Sequence, residues 1–286
     1  MSRLSGLSGR NGSNGPVIDG RTVVITGAGS GIGRALAQRL ARRGCPVAIC
    51  DSNEAGLEET AAAIGGPVLT RKLDVRDRQA QMAFAADVRE WAPARLALVI
   101  NNAGVTATQM AADGSFEDDE WVIDVNFWGV VHGTRAFLPI LLEQDEGAIV
   151  NVSSVFGLIG YPSQSAYCAS KFAVRGYTES LRHELRDSRV RAITVHPGGI
   201  ATHIVDNARF HVDDRGNTDH DQLRADFAKV ARTSPDKAAA VIHRGIERGR
   251  DRILIGPDAA FLSILSRIAP VRYFDVLKGL EPLIRR

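Results

Sequence analysis

The sequence predicts an α/β fold, a doubly wound, seven-stranded parallel sheet with helices on both faces, formed as a single domain by residues 17–286. Three observations predict it. Short aliphatic runs without polar alternation recur along the chain, which is how strands buried on both faces read. Each is followed by a longer stretch with apolar residues at helical spacing. No repeat or linker interrupts the alternation, and right-handed βαβ crossovers then place helices on both faces.

Residues 1–16 come first. Ten of them are Gly, Ser or Asn and none forms a hydrophobic stretch, so they read as a flexible leader and not as a secretory signal. A strand is then expected at 22–25 and a helix at 32–43, followed by a strand at 46–50 and a helix at 54–64. The alternation continues with a strand at 68–73, a helix at 78–91, a strand at 96–100 and one long helix at 116–142. A strand at 148–152, a helix at 166–186, a strand at 191–195, a helix at 235–248 and a last strand at 253–255 complete it. Two segments fall outside this rhythm. Residues 201–230 are polar and rich in Asp, His and Asn; in this architecture they lie over the C-terminal strand ends, where ligands bind, and read as a substrate-covering insertion. Residues 258–286 carry Phe261, Leu262, Leu265 and Ile268 at helical spacing and read as a C-terminal tail packed on the domain or on a neighbouring subunit. A surplus of basic residues there offers a membrane-surface helix as the second reading.

Lys and Arg number 35 against 33 Asp and Glu, a net charge of +2, so nothing points to nucleic acid or an anionic membrane as a partner. With 44% hydrophobic and 24% charged residues, the chain can fill a core, which excludes disorder, collagen and coiled coil. Its 28 glycines suit tight turns and close backbone approaches. The three cysteines, Cys45, Cys50 and Cys168, form no disulfide framework and no zinc-ligand spacing, so a reducing cytoplasm and no metal are expected. The longest apolar runs, such as 136–142, fall far below the ~18 residues of a membrane span.

The chemistry begins after the first strand, at T-G-A-G-S-G-I-G, residues 26–33. Gly27, Gly31 and Gly33, with Ser30 and Ile32 between them, form G-x-x-x-G-x-G: a tight turn, a backbone open to a pyrophosphate and a helix N-terminus that favours anions. No G-x-x-x-x-G-K follows, so a P-loop is excluded. Asp51 ends the second strand, 20 residues after Gly31, where a carboxylate would accept from an adenosine ribose; it would also serve as a turn or helix-cap residue. A 2′-phosphate would meet that carboxylate, and neither Ser30 nor Ser52 offers a positive charge. The expected cofactor is NAD, ahead of NADP.

Further along stand N-N-A-G (101–104), V-N (125–126), N-V-S-S (151–154), Y-C-A-S-K (167–171) and P-G-G-I-A-T (197–202). With the glycine turn, these blocks resemble the short-chain dehydrogenase/reductase superfamily from about residue 21 to residue 256, in order, with a Rossmann-type fold. Tyr167 and Lys171, four residues apart, share a helix face. An unperturbed Tyr, at a pKa of ~10, is a poor base near neutrality; a neighbouring ammonium favours its phenolate, and so does the positive charge of an oxidised nicotinamide. Tyr167 is therefore the expected acid/base and Lys171 the group that lowers its pKa; Ser154 is expected to hydrogen-bond the substrate oxygen. The resemblance further implies that Lys171 holds the nicotinamide ribose and that Asn126 holds a water linked to the lysine. It also implies cofactor contacts from Asp74 and Val75 at the adenine, Asn102, Ala103 and Gly104 at the adenosine ribose, and Pro197, Gly198, Ile200 and Thr202 at the nicotinamide and phosphates.

Competing readings stand beside these. Asn126 could be a buried polar residue at a helix kink, and Ser153 rivals Ser154, although the 13-residue spacing to Tyr167 matches Ser154 in the family. Cys168 reads as a packing residue turned away from Tyr167, His196 as structural, and His203, His211 and His220 as exposed loop residues. The expected activity is an NAD-dependent oxidoreductase interconverting a secondary alcohol and a ketone. A non-catalytic NAD-binding regulator and an NADP-dependent acyl-carrier ketoreductase are the alternatives. Phe156, Leu158, Tyr161 and Phe210 suggest an apolar substrate. The resemblance implies a homodimer or homotetramer, with a tetramer expected, formed through the 116–142 and 166–186 helices.

Overall fold

The computed structural model describes residues 15–284, with side chains through residue 279. Its first half alternates as expected: β1 (Thr22–Thr26), α1 (Gly31–Ala41), β2 (Val47–Asp51), α2 (Glu54–Ala62), β3 (Val68–Lys72), α3 (Arg78–Trp91) and β4 (Leu96–Asn101). A two-residue β5 (Ala107–Thr108) leads into α4 (Phe116–Ile123), a π-helical turn at Asp124–Trp128 and α5 (Gly129–Gln144). Then come β6 (Ala148–Val152), a 3₁₀ turn at Val155–Gly157, α6 (Ser165–Glu184), β7 (Arg191–Pro197) and a two-residue β8 (Arg209–Phe210). The chain continues with α7 (His220–Val230), α8 (Pro235–Glu247), β9 (Arg252–Ile255), α9 (Pro257–Ile268) and α10 (Tyr273–Ile284).

The seven long strands form one parallel sheet in the order β3-β2-β1-β4-β6-β7-β9. The winding reverses between β1 and β4, and the crevice beyond the strand C-termini at such a reversal is where this architecture takes ligands. β1, β4 and β6 are buried along their whole length, which explains their mainly aliphatic runs. Side chains alternate between the two faces. Val23, Ile25, Val47 and Ile49 meet α1 and α8, whereas Val24, Ala48, Val99 and Ile149 meet α3, α5 and α6. Phe84 of α3 and Phe137 of α5 lock edge to face, 5.9 Å apart.

Four departures from the sequence reading have physical causes. β3 is an edge strand, so Thr70, Arg71 and Lys72 face solvent where a buried run was expected. The expected single helix over 116–142 is broken by the π turn, whose extra residue apolar periodicity does not register. The insertion at 201–230 carries its own structure, β8 and α7, and β8 pairs in parallel with β5. The tail resolves into α9 and α10. Residues 1–14 of the expected leader lie outside the described residues; Gly15, within it, donates its N–H to the Glu247 carbonyl at 2.8 Å. Among the described residues no helix is long and apolar enough to cross a membrane.

Candidate active site

The glycine turn leaves β1 at Thr26. Gly27 (φ 66°) and Gly31 (φ 51°) hold left-handed backbone that favours glycine, and a Cβ on Gly33 would lie 2.1 Å from the Gly27 carbonyl oxygen. Ser30 stands at the α1 N-cap position in extended conformation with no side-chain cap bond, and no acid occupies the first turn, where Ile32 sits. The helix thus opens with uncapped donors and a positive dipole end. A cavity of about 530 Å³ lies against it, lined among others by Gly29, Ser30, Gly31, Arg34, Asn53 and Thr202.

Asp51 stands over this turn. One carboxylate oxygen accepts from the Gly29 N–H at 2.7 Å and the other from the Asn53 N–H at 2.9 Å, leaving each oxygen further acceptor capacity. The turn role and a ribose role are therefore compatible. Sequence reasoning missed Arg34, one turn into α1. Its guanidinium donates to the Gly29 carbonyl, to the Gly56 carbonyl at 3.2 Å and to Glu59 at 2.8 Å. A G-x-G-R pattern could have signalled it only with its partner Glu59, 25 residues away, in view.

The N-N-A-G block docks on the turn. Asn102 donates its side-chain amide to the Thr26 and Gly27 carbonyls, both at 3.0 Å, and the Ala103 N–H donates to the Thr26 hydroxyl at 3.1 Å. A Cβ on Gly104 would lie 3.2 Å from both Asn126 Oδ1 and Lys171 Nζ, so this glycine brings the turn up against those two side chains. Pro197 ends β7. The Gly198 N–H donates to the Ile255 carbonyl at 3.0 Å, Ile200 is buried, and the Thr202 methyl would lie 3.1 Å from a Cβ on Gly31. Asp74 pairs with Arg76 at 2.6 Å, which holds its carboxyl below the usual range, and Val75 is buried against Gly129.

Ser154 is the second residue beyond β6, and its Oγ accepts from the Phe156 N–H at 3.1 Å, capping the 3₁₀ turn. The Ser153 hydroxyl is committed to the Lys171 carbonyl at 2.8 Å, which separates the two serines' roles. Tyr167 lies in the first turn of α6; its carbonyl accepts from the Ser170 hydroxyl at 2.7 Å. Lys171 is buried, donates to the Val152 carbonyl at 3.2 Å and sits 5.6 Å from the Tyr167 ring centre. Asn126 is fully buried in the π turn. Its Oδ1 accepts from the Val105 N–H at 2.8 Å, and its amide donates to the Val105 carbonyl at 2.9 Å and the Ser170 hydroxyl at 3.0 Å. The long β4–β6 connection thus supplies a side chain that ties a loop to α6, so the buried-polar reading of Asn126 describes its protein contacts.

One expectation is corrected. Burial pushes Tyr167 up to about 12, against which the Ser154 hydroxyl acts, so in the protein alone this phenol is not acidic. Burial also pulls Lys171 down to about 8, because desolvation disfavours its ammonium. The lysine sits near the ring but does not outweigh the cost of burying a phenolate. His196 is buried with its pKa pulled down to about 4, again by burial, and donates from Nδ1 to the Ser154 carbonyl at 3.0 Å. It is a neutral support for the Ser154 backbone. Cys168 is buried, and burial raises its thiol.

The insertion is clasped to the body. Arg209 and His211 each donate to a different oxygen of buried Asp118 at 2.6 Å, and Arg209 stacks 4.0 Å from the Trp121 ring centre. Burial opposes the Asp118 charge, but His211 and Arg209 outweigh it and hold its carboxyl below the usual range. His203 is exposed and pairs with Asp206, as a loop residue would. His220 departs from that expectation: half-buried, it stacks on Phe210 and contacts the Val205 carbonyl at 2.8 Å. Among the described residues one set of metal-type donors converges, Asp19, His243 and Glu247, but Arg43 already bonds Asp19 there.

A profile of the short chain dehydrogenase family matches residues 21–212. The chain belongs to the short-chain dehydrogenase family. Within that family, it is 43% identical over 263 residues to SadH of Mycobacterium tuberculosis, a protein named as an oxidoreductase, covering 89% of this chain and 93% of that one. EphD of Mycobacterium bovis, also named as an oxidoreductase, is 38% identical over 257 residues, 87% of this chain but 43% of EphD. Among solved structures, a short-chain dehydrogenase/reductase from Burkholderia phymatum in complex with NAD superposes with a TM-score of 0.79 at 33% identity, covering 87% of this chain and 94% of that one. A short chain dehydrogenase from Burkholderia cenocepacia in complex with NADP does so at 0.72 and 25% identity, over 88% and 95%. This short-chain dehydrogenase is an oxidoreductase with a doubly wound sheet.

Proposed function

We propose that the protein interconverts a secondary alcohol and a ketone with NAD(H), using Tyr167 as acid/base. The observation that carries this reading is the convergence of Ser154, Tyr167 and Lys171 at the C-terminal end of β6, joined through Gly104 to a glycine cradle. The cradle fits a dinucleotide: Gly27, Gly31 and Gly33 leave room that a Cβ would fill, and the α1 N-terminus faces the cavity with uncapped donors. Gly31, Ser30 and Thr202 would hold the phosphates, Asp51 the adenosine ribose, and Lys171 the nicotinamide ribose. When bound, the cofactor would accept or supply the hydride, and its oxidised ring would add positive charge beside Tyr167.

In alcohol oxidation the Tyr167 oxygen takes the substrate hydroxyl proton; in reduction Tyr167 returns it to the carbonyl oxygen. Ser154 donates to that oxygen and orients it. Lys171, pulled down to about 8, exchanges protons close to neutral pH while its side chain remains anchored on β6. Preference for NAD over NADP is supported by the Asp51 carboxylate at the turn and by Arg34, whose charge is committed to Glu59. The stacked Phe156 and Tyr161 beside Tyr167 support an apolar substrate. Exposed Phe116, Trp128, Leu142 and Phe172 on α4 to α6 support a homodimer or homotetramer, which light scattering measures. Three buried free cysteines favour a reducing, cytoplasmic setting.

Tyr167→Phe tests the reading: kcat should fall by at least about 10²-fold with dinucleotide affinity within threefold. A variant that keeps near-normal kcat overturns Tyr167 as acid/base, and a higher kcat/KM with NADP(H) than with NAD(H) overturns the cofactor assignment.

A further inference from the structure

Beyond the dehydrogenase core, the two terminal helices are strapped across the candidate site at two points. α9 begins after Gly256, and its Asp258 carboxylate accepts from the Gly199 N–H at 2.8 Å, fixing the loop after β7. α10 begins at Tyr273, whose hydroxyl accepts from the Gly160 N–H at 2.9 Å and donates to the Gly160 carbonyl at 3.2 Å. One phenol thus satisfies both polar groups of a residue six positions beyond Ser154. The loop it grips is held from the other side as well. Gln164 bridges the Thr106 and Thr108 hydroxyls at 2.9 and 2.7 Å, and the Gln109 N–H donates to the Ser163 carbonyl at 3.0 Å.

The next residue, Phe274, meets Tyr161 edge to face at 5.9 Å. Tyr161 stacks on Phe156 at 5.3 Å and 14°, and Phe156 meets the Tyr167 ring edge to face at 6.1 Å. An unbroken ribbon of rings therefore runs from the proposed acid/base to the terminal helix. Phe156, Tyr161 and Phe274 are each only half-buried, so they retain surface for a ligand. The Lys278 ammonium lies over Phe274, 5.0 Å from its ring centre.

We infer that α10 completes the substrate wall and that Phe274 is a specificity-determining residue, selecting alcohols and ketones that carry a flat ring. This rests on the alcohol–ketone reading proposed above. Ring faces and edges reward a second ring through offset and edge-to-face contacts that a short alkyl chain cannot make. Tyr273 is a positioning residue that sets Phe274 and the 160–164 loop.

The test compares 1-phenylethanol with 2-butanol, and acetophenone with 2-butanone, on the full-length protein. Phe274→Ala should lower the 1-phenylethanol/2-butanol ratio of kcat/KM by about tenfold, chiefly through KM, and Phe274→Tyr should restore it. Tyr273→Phe should lower the same ratio by about threefold. Ile268→Ser, on the exposed face of α9, controls for general loosening of the tail and should leave the ratio alone. Calorimetric titration of acetophenone and 2-butanone into protein saturated with oxidised NAD, where no hydride donor is present, reads the wall without turnover, with the same tenfold selective loss expected in Phe274→Ala. Equal losses for ring and chain ligands, in kinetics or in calorimetry, overturn the inference. Absence of turnover in the unaltered protein with intact selective binding counts against the alcohol–ketone reading and still supports the wall.

Discussion

Asn126→Ala probes the join between the glycine cradle and α6. The substitution removes three hydrogen bonds, two to the Val105 peptide and one to the Ser170 hydroxyl, from a side chain with 0% exposure. At about 1 kcal/mol for each bond, with about 1 kcal/mol more for the space left by the amide, the loss is about 3–4 kcal/mol. With about 2.1 cal/mol/K of unfolding entropy per residue, a 286-residue chain then loses about 5–7 °C in Tm. Activity should suffer beyond stability. Val105 follows Gly104, where Asn126 Oδ1 and Lys171 Nζ meet, and Ser170 bonds the Tyr167 carbonyl. A shift of a few tenths of an ångström in that group should lower kcat about tenfold. The assays are denaturant unfolding, and steady-state kinetics well below the lowered Tm. A loss under about 1 kcal/mol together with kcat within threefold of the parent would refute the claim that Asn126 holds this junction.

Asp118→Asn should weaken the clasp on the 201–230 insertion by about 1–2 kcal/mol, a reduced value because Arg209 and His211 are half-exposed. Trypsin should then cleave at Arg209, Arg215 or Arg224 several-fold faster, and an unchanged cleavage rate would count against the clasp. Lys171 gives a pH signature. Its pKa falls from 10.5 to about 8 on folding, so the unfolded chain binds more protons between those values and stability rises with pH across that window. Relative to Lys171→Met, the parent should gain on the order of 2 kcal/mol between pH 7.5 and pH 10 in denaturant unfolding, whereas parallel profiles would show that burial does not depress this lysine.

All seven long strands were legible because a sheet covered on both faces leaves mostly aliphatic residues in its strands, as in β1 and β6. β3 was legible as a strand but not as an edge, since neighbours in the sheet are set by crossovers that sequence order does not reveal. β5 and β8 are two residues each, too short for any period, and their pairing joins positions about a hundred residues apart. At the site, Gly27, Gly31, Tyr167 and Lys171 could be picked out because their spacing is local to one turn or one helix, and Ser154 because its 13-residue spacing to Tyr167 matches the family. Arg34, the Asp118 clasp and the Tyr273–Gly160 contact could not, because each needs a distant partner to acquire meaning. The Tyr167 pKa was misjudged for a related reason: an ammonium four residues away is visible in the sequence, but the depth at which both groups lie is not.

The π turn at Asp124–Trp128 amounts to one surplus residue in what would otherwise be a continuous rod from Phe116 to Gln144. The wider turn absorbs that residue locally; wound into a regular α-helix instead, the same residue would add about 100° of azimuth. Asp118 and Trp121 would then point away from Arg209 and His211, although every hydrogen-bonding side chain was still encoded. The π turn thus keeps the insertion's anchor in phase with the sheet-facing residues of α5 despite the surplus.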